Sequence, residues 1–212
     1  MKLLGLLTRK TATFFRLMFT KPRWLWHRKI LENSIFFTDE AYMASLLPSR
    51  TLELTAEMFK PKTVLDLGCG TGKSLDYFVQ LGIDCIGVEG SKELIAQSRH
   101  PARIVQFNLN KALDLNRKFD LVWSFEFVEH IKPQYVHNLM RTFFAHSNVV
   151  VLSAAHPGQG GAGHFNEQPK EYWISLFQEY GFELAADKTK KLVETGDLHS
   201  ENMLVFEKTQ IA

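Results

Sequence analysis

Two groups of residues in this 212-residue chain have the types and spacing to do chemistry. The first is the run Val64-Leu65-Asp66-Leu67-Gly68-Cys69-Gly70-Thr71-Gly72, where an apolar segment meets three glycines in alternate positions. Glycine has no side chain and takes positive φ easily, so such a turn brings backbone close to a ligand. A helix beginning near Thr71 would aim its free N–H groups at the same spot. The second group is Glu126, Glu129 and His130, at i, i+3 and i+4. If a helix starts there, all three share one face. Two carboxylates and an imidazole make a hard-to-borderline site for a divalent cation. The same residues also fit an acid-rich first turn facing the helix dipole, with His130 as a packing residue.

The glycine run fits neither common phosphate motif. A P-loop needs a glycine five positions before its Gly-Lys-Ser/Thr; Gly72-Lys73-Ser74 is present, but position 67 is Leu67. A dinucleotide fingerprint needs a wider last interval than Gly68, Gly70 and Gly72 provide.

The elements around these residues alternate. Strands are expected at 62–67, 83–88, 102–107, 119–124 and 148–154, with helices at 71–81, 91–99, 126–145 and 169–180. Two late strands fit 182–187 and 202–208. Short apolar strands alternating with helices imply a parallel sheet covered on both faces. A helix over 34–60 precedes the first strand, capped by Thr38 and broken or restarted at Pro48. Glu89 ends the second strand about 20 residues beyond the glycines, where an acid accepts hydrogen bonds from ribose hydroxyls. Trp173 and Phe177, at i and i+4, read as core. After the fifth strand come His156, a glycine-rich run over 158–163, and His164-Phe165-Asn166. The glycine run reads as a flexible lid. His156 is placed to act as a general base, and His164, Asn166 and Gln168 can hydrogen-bond a hydroxylated substrate.

Asp66-x-Gly68-x-Gly70-x-Gly72, Glu89 and the segment Phe119–His130 together resemble the class I S-adenosylmethionine (SAM) methyltransferases. The resemblance spans roughly residues 40–208. It implies a Rossmann-like seven-stranded, mostly parallel α/β sheet with helices on both faces and an antiparallel last strand, the last two strands forming a hairpin. It places SAM against Asp66, Gly68, Cys69, Gly70, Gly72, Glu89, Asn108, Leu109 and Ser124. At Asn108 the family usually has an acid toward the adenine amino group, and an amide oxygen there accepts without charge. No Asp/Asn-Pro-Pro-aromatic follows the fourth strand, which disfavours methylation of base exocyclic amines. The Glu-x-x-Glu-His pattern resembles the ubiquinone-biosynthesis O-methyltransferases and the small-RNA terminal 2′-O-methyltransferases. Carried over from the latter, Glu126, Glu129, His130 and His164 would bind a divalent cation, Mg or Zn. The implied function is O-methylation of a hydroxyl on a small-molecule, lipid, quinone or glycan intermediate. His156 and His164 are the candidate catalytic residues. The alternatives are RNA 2′-O-methylation and a SAM-fold subunit that only binds.

Charge is unevenly spread. Of 25 Lys/Arg, eight lie in residues 1–29, which contain no acid; the other 17 face all 23 Asp/Glu. The body is therefore mildly acidic, which counts against nucleic acid as partner. Residues 1–35 form a basic arm and 36–212 the methyltransferase domain. Over residues 1–21, Leu4, Leu7, Phe14, Phe15 and Met18 share one helical face opposite Lys2, Arg9, Arg16 and Thr20. That pattern suits a membrane interface, a helix packed on protein, or a mitochondrial presequence. The expected location is cytoplasmic or peripheral on the inner face of a membrane, and mitochondrial in a eukaryote. Cys69 and Cys85 form neither metal spacing nor a disulfide framework, which suits a reducing compartment.

Overall fold

The computed structural model describes residues 47–209. The basic arm and Thr38 lie outside the described residues.

Helix α1 (Ser49–Phe59) opens the described chain. It starts directly after Pro48, the restart expected from a residue that cannot continue a helix. Strand β1 (Thr63–Leu67) leads through the glycine turn into α2 (Lys73–Gln80). Then follow β2 (Asp84–Glu89), α3 (Lys92–Gln97), β3 (Ile104–Gln106), β4 (Leu121–Ser124), α4 (Val136–His146) and β5 (Val149–Ser153). The chain closes with α5 (Lys170–Gln178), β6 (Phe182–Leu184), α6 (Ala186–Val193) and β7 (Met203–Lys208).

The seven strands form one sheet in the order β3-β2-β1-β4-β5-β7-β6. All neighbours run parallel except β7, which pairs antiparallel with both β5 and β6. Strand alternation feeds two cores. Leu65, Leu67, Val122, Val150, Leu152, Leu204 and Phe206 face α4 and α5 through Leu139, Met140, Phe143, Trp173 and Phe177. Val64, Leu121, Trp123, Val151, Met203 and Val205 face α1, α2 and α6 through Leu52, Leu75, Phe78 and Leu192. Helices thus cover both sides, as the alternating pattern requires. The chain leaves β1 toward β2 on one side and β4 lies on the other, so the ends of β1 and β4 frame the crevice where such sheets take ligands.

One expectation is corrected. The helix expected over 126–145 begins only at Val136. Glu126 has φ +46°, Val128–His130 and Pro133–Tyr135 are single 3₁₀ turns, and Lys132 is extended. The residue before a proline disfavours helical backbone, which splits the segment at Pro133. The last two strands pair antiparallel as expected, with α6 inserted between them. Its sequence ADKTKKLV buries only Thr189 and Leu192, a stripe too thin to show as periodicity.

Candidate active site

The glycine turn is built largely by backbone. Gly68 and Gly72 hold φ of +75° and +78°. A Cβ added to Gly68 would lie 2.1 Å from the Phe127 ring. The amides of Gly68 and Cys69 donate to the Val88 carbonyl, at 2.9 and 3.2 Å, and dock the turn on β2. Gly72 caps α2 without any side-chain bond to the first-turn amides, so these remain available to a ligand. The Cys69 side chain fills the space above Gly87, where a Cβ would meet its Sγ at 2.6 Å.

Two buried carboxyls stand behind the turn. Glu89 accepts from the amides of Gly70 at 3.0 Å and Ser91 at 2.8 Å, one on each oxygen. Each oxygen keeps a lone pair. Burial raises its pKa, opposed by those amides. Asp66 is buried and its Oδ2 has no partner. Burial, and then the charge of Glu89, push its pKa up to about 8. Ser124, on β4, donates to the Leu67 carbonyl at 2.9 Å and ties the two strand ends at the crevice. Leu109 is buried. Asn108 is exposed, and its Oδ1 accepts from the Asn110 amide at 3.0 Å, capping its own turn.

Across the crevice, side chains do the building. Glu129, His130 and His164 bring one ligand atom each to within 4.8 Å of one another. Glu129 is fully buried, and neither carboxyl oxygen has a hydrogen-bond partner. Burial, and then the charge of Glu126, hold its pKa well above the usual carboxylate range. The His130 Nδ1 lies 3.0 Å from the Gly163 carbonyl and must donate to it. The His164 Nδ1 lies 2.9 Å from the Glu167 carboxylate. His130 therefore keeps Nε2 free as a lone-pair nitrogen, and the Glu167 carboxylate occupies the Nδ1 side of His164. Burial, with His164 adding to it, lowers the His130 pKa to about 4, so that ring is neutral near pH 7. The rings meet edge to face at 4.9 Å. The amides of Phe165 and Asn166 both donate to the Glu129 carbonyl, which holds the His164 loop against the 128–130 turn.

Three expected residues sit elsewhere. Glu126 is outside this cluster, with left-handed backbone and its carboxylate toward Gln159 and the turn that precedes β7. There it accepts from Gln159 at 2.8 Å and Asn202 at 3.1 Å, with His199 at 3.7 Å. His156 is exposed and turns its Nδ1 to the neighbouring Pro157 carbonyl. Gln168 donates to Asn166 rather than facing open space, while the Asn166 amide nitrogen is buried without a partner. The glycine-rich run is also pinned rather than loose, through Gln159 and through two amides bonded to Glu167. Glu167, Gln159 and Asn202 were not singled out by sequence. No spacing links them to Glu126 or His164, except that Glu167 is three residues past His164.

The sheet order and the cradle at the β1–β4 crevice define the Rossmann-like methyltransferase fold. A methyltransferase-domain family profile matches residues 40–186, and the chain belongs to that family. Norajmaline N-methyltransferase from Rauvolfia serpentina is 35% identical over 109 residues, covering 46% of this chain and 37% of that protein. A ubiquinone biosynthesis O-methyltransferase from Nitrobacter winogradskyi is 31% identical over 74 residues, covering 32% and 28%. The matched segment spans well under half the length of these relatives. Among solved structures, a SAM-bound amino pentose methyltransferase from Micromonospora echinaspora superposes with a TM-score of 0.66 at 18% identity, covering 84% of this chain and 99% of that one. At that identity the likeness concerns the fold.

Proposed function

We propose that this enzyme methylates an oxygen, the hydroxyl of a small-molecule, lipid, quinone or glycan intermediate. The observation that carries this reading is the cluster of Glu129, His130 and His164: a buried carboxyl with two unpartnered oxygens beside two imidazoles, each held at Nδ1 by an oxygen. The relatives include both N- and O-methyltransferases, so the acceptor atom is argued from this chain's own residues. A neutral amine is already nucleophilic, whereas a hydroxyl gains much from losing its proton.

SAM fits the cradle by the chemistry of its donors and acceptors, and when bound it supplies a methyl group on a sulfonium that needs no acid to leave. Glu89 would accept from the ribose hydroxyls with its remaining lone pairs. The free amides at the start of α2 and the turn at Gly68, Cys69, Gly70 and Gly72 would face the polar parts of the molecule. Asp66, with its unpartnered oxygen, Asn108, Leu109 and Ser124 would complete the wall. The protein's main contribution is to hold the two reactants in line.

Glu129, His130 and His164 would hold a divalent cation, Mg or Zn, with Glu126 outside the set. The donor set fits: two imidazoles, each with Nδ1 held by an oxygen, and an acid with no other partner. Such a cation would lower the pKa of a hydroxyl placed on it. His156, on the solvent side of the loop, is then suited to pass the released proton to water. The basic arm over residues 1–30 favours an acceptor at a membrane surface. Among the described residues no helix is long and apolar enough to cross one.

The test is transfer of labelled methyl from SAM to a panel of phenols, polyprenyl quinols, sugars, amines and RNA 3′ ends, with and without chelator. The expected result is label on small hydroxylated acceptors, lost on chelation. Label confined to amines, or unaffected by chelation, would overturn the O-methylation mechanism; label on RNA would replace the acceptor class.

A further inference from the structure

We propose that Glu167 is the positioning residue of the acceptor side: its carboxylate fixes the His164 tautomer and, through the same oxygens, pins the 158–160 turn beside that ring. The inference rests on the cation reading of Glu129, His130 and His164 for its consequence, but the geometry that carries it is separate. One oxygen of Glu167 accepts from the Gly160 amide at 2.7 Å and faces His164 Nδ1 at 2.9 Å. The other accepts from the Gly158 amide at 2.8 Å. Three donors thus converge on one side chain, which is 18% exposed while the His164 side chain is 8% exposed.

A free neutral imidazole favours the proton on Nε2. His164 needs the opposite tautomer to offer Nε2 as a ligand, and a carboxylate at Nδ1 imposes it. The loop also passes the ring on its other side. A Cβ added at Gly161 would lie 2.3 Å from His164 Nε2, so the bare glycine there is what leaves that nitrogen open. Holding Gly158 and Gly160 therefore also holds Gly161 beside the ring. The turn sequence Gly-Gln-Gly-Gly supplies the two amides, and Gln159 between them reaches Glu126 and Asn202 at 2.8 Å each. Glu167 joins the ligand pair to this neighbouring network without touching the reacting atoms.

The test compares the wild type with Glu167→Ala and Glu167→Asp. Each is titrated with Co²⁺ followed by its visible absorption and, separately, with S-adenosylhomocysteine by calorimetry. His164 is read by its long-range ¹⁵N imidazole spectrum. Glu167→Ala should weaken Co²⁺ about 10- to 100-fold, the usual range for losing a partner behind a ligating histidine. Glu167→Asp should recover part of that loss, and S-adenosylhomocysteine affinity should stay unchanged. His164 should carry its proton on Nδ1 in the wild type and shift toward Nε2 in Glu167→Ala. Equal Co²⁺ affinity in all three proteins would overturn the inference. If the wild type takes no Co²⁺, the cation reading fails on its own and the spectrum decides: a tautomer shift upholds Glu167 as the positioning residue, and an unchanged tautomer overturns it.

Discussion

The two sides of the crevice are built from different material. On the β1–β2 side, the candidate cofactor site is backbone: glycines in left-handed conformations, amides at a helix start, and two acids within one strand–helix–strand unit. On the β4–β5 side, the candidate acceptor site is side chains brought from distant segments, Glu129 and His130 from one turn and His164 and Glu167 from a loop more than 30 residues on. Backbone geometry serves a fixed ligand, whereas side chains can be exchanged without disturbing the sheet. The comparison explains how one fold keeps a cofactor while its acceptors differ.

The sharpest way to break the comparison is Gly68→Ala. The φ of +75° and a clash 2.1 Å from Phe127 combine, and Phe127 precedes the 128–130 turn. A non-glycine residue there costs about 1–2 kcal/mol for the backbone, and overpacking adds roughly 1–3 kcal/mol. The expected outcome is loss of S-adenosylhomocysteine binding by more than about 100-fold, read by calorimetry, and a lower melting temperature. Retained affinity would mean the ligand does not lie against this turn.

Next in size is Glu129→Gln, which separates the two sides. Turnover should fall about 100-fold or more if Glu129 holds a cation as proposed, since a direct ligand matters at least as much as its supporting shell. S-adenosylhomocysteine affinity should stay within about twofold, because the cofactor side depends on other groups. Parallel losses in both would show that the sides are not independent.

This division also sets what was legible in the sequence. Asp66, the three glycines and Glu89 lie within 24 residues, and each has a local reason for its type, so the cofactor side reads directly from spacing. The sheet reads equally well, because buried parallel strands are short apolar runs. The acceptor side reads only in part. A shared i, i+3, i+4 face for Glu126 requires a helix, and the left-handed backbone at Glu126 with extended Lys132 before Pro133 removes it. Glu129, His130 and His164 converge all the same, held by the Phe165 and Asn166 amides on the Glu129 carbonyl. Backbone bonds between loops leave no pattern in sequence. The glycines at 158–163 suggest mobility, yet the amides of Gly158 and Gly160 are bound by Glu167, and composition alone does not reveal which acceptor is near.

Asp66 gives a smaller effect that sharpens the cofactor side. Its folded pKa of about 8 stands above the ordinary aspartate value of 3.8. A raised folded pKa means the folded state holds the proton more tightly. The stabilisation is complete below about pH 4 and is lost as pH rises through 8. Between pH 5 and 8 the ligand-free protein should therefore lose thermal stability from this group, and Asp66→Asn should flatten that decline. At pH 8 Asp66→Asn should therefore melt above the level the wild-type decline reaches, with the difference closing toward pH 5, as read by thermal unfolding across pH. An unchanged pH profile in the variant would show that Asp66 is ionised in the folded protein at neutral pH.

The smallest expected effect falls on the residue that sequence favoured as base. His156 is exposed, with one nitrogen at the Pro157 carbonyl, and lies outside the group of converging ligand atoms. A proton relay to water is easily replaced by water itself, so His156→Ala should lower kcat by less than about threefold with KM unchanged, against 10²–10⁴-fold for a true general base. The pH–rate profile separates the two roles. A relay leaves the profile of the variant parallel to that of the wild type, whereas a base would remove its acidic limb. Loss of that limb with a large fall in kcat would move proton abstraction from the buried cluster to the loop end, and the acceptor hydroxyl would then have to sit on the solvent side of Glu129 rather than over it.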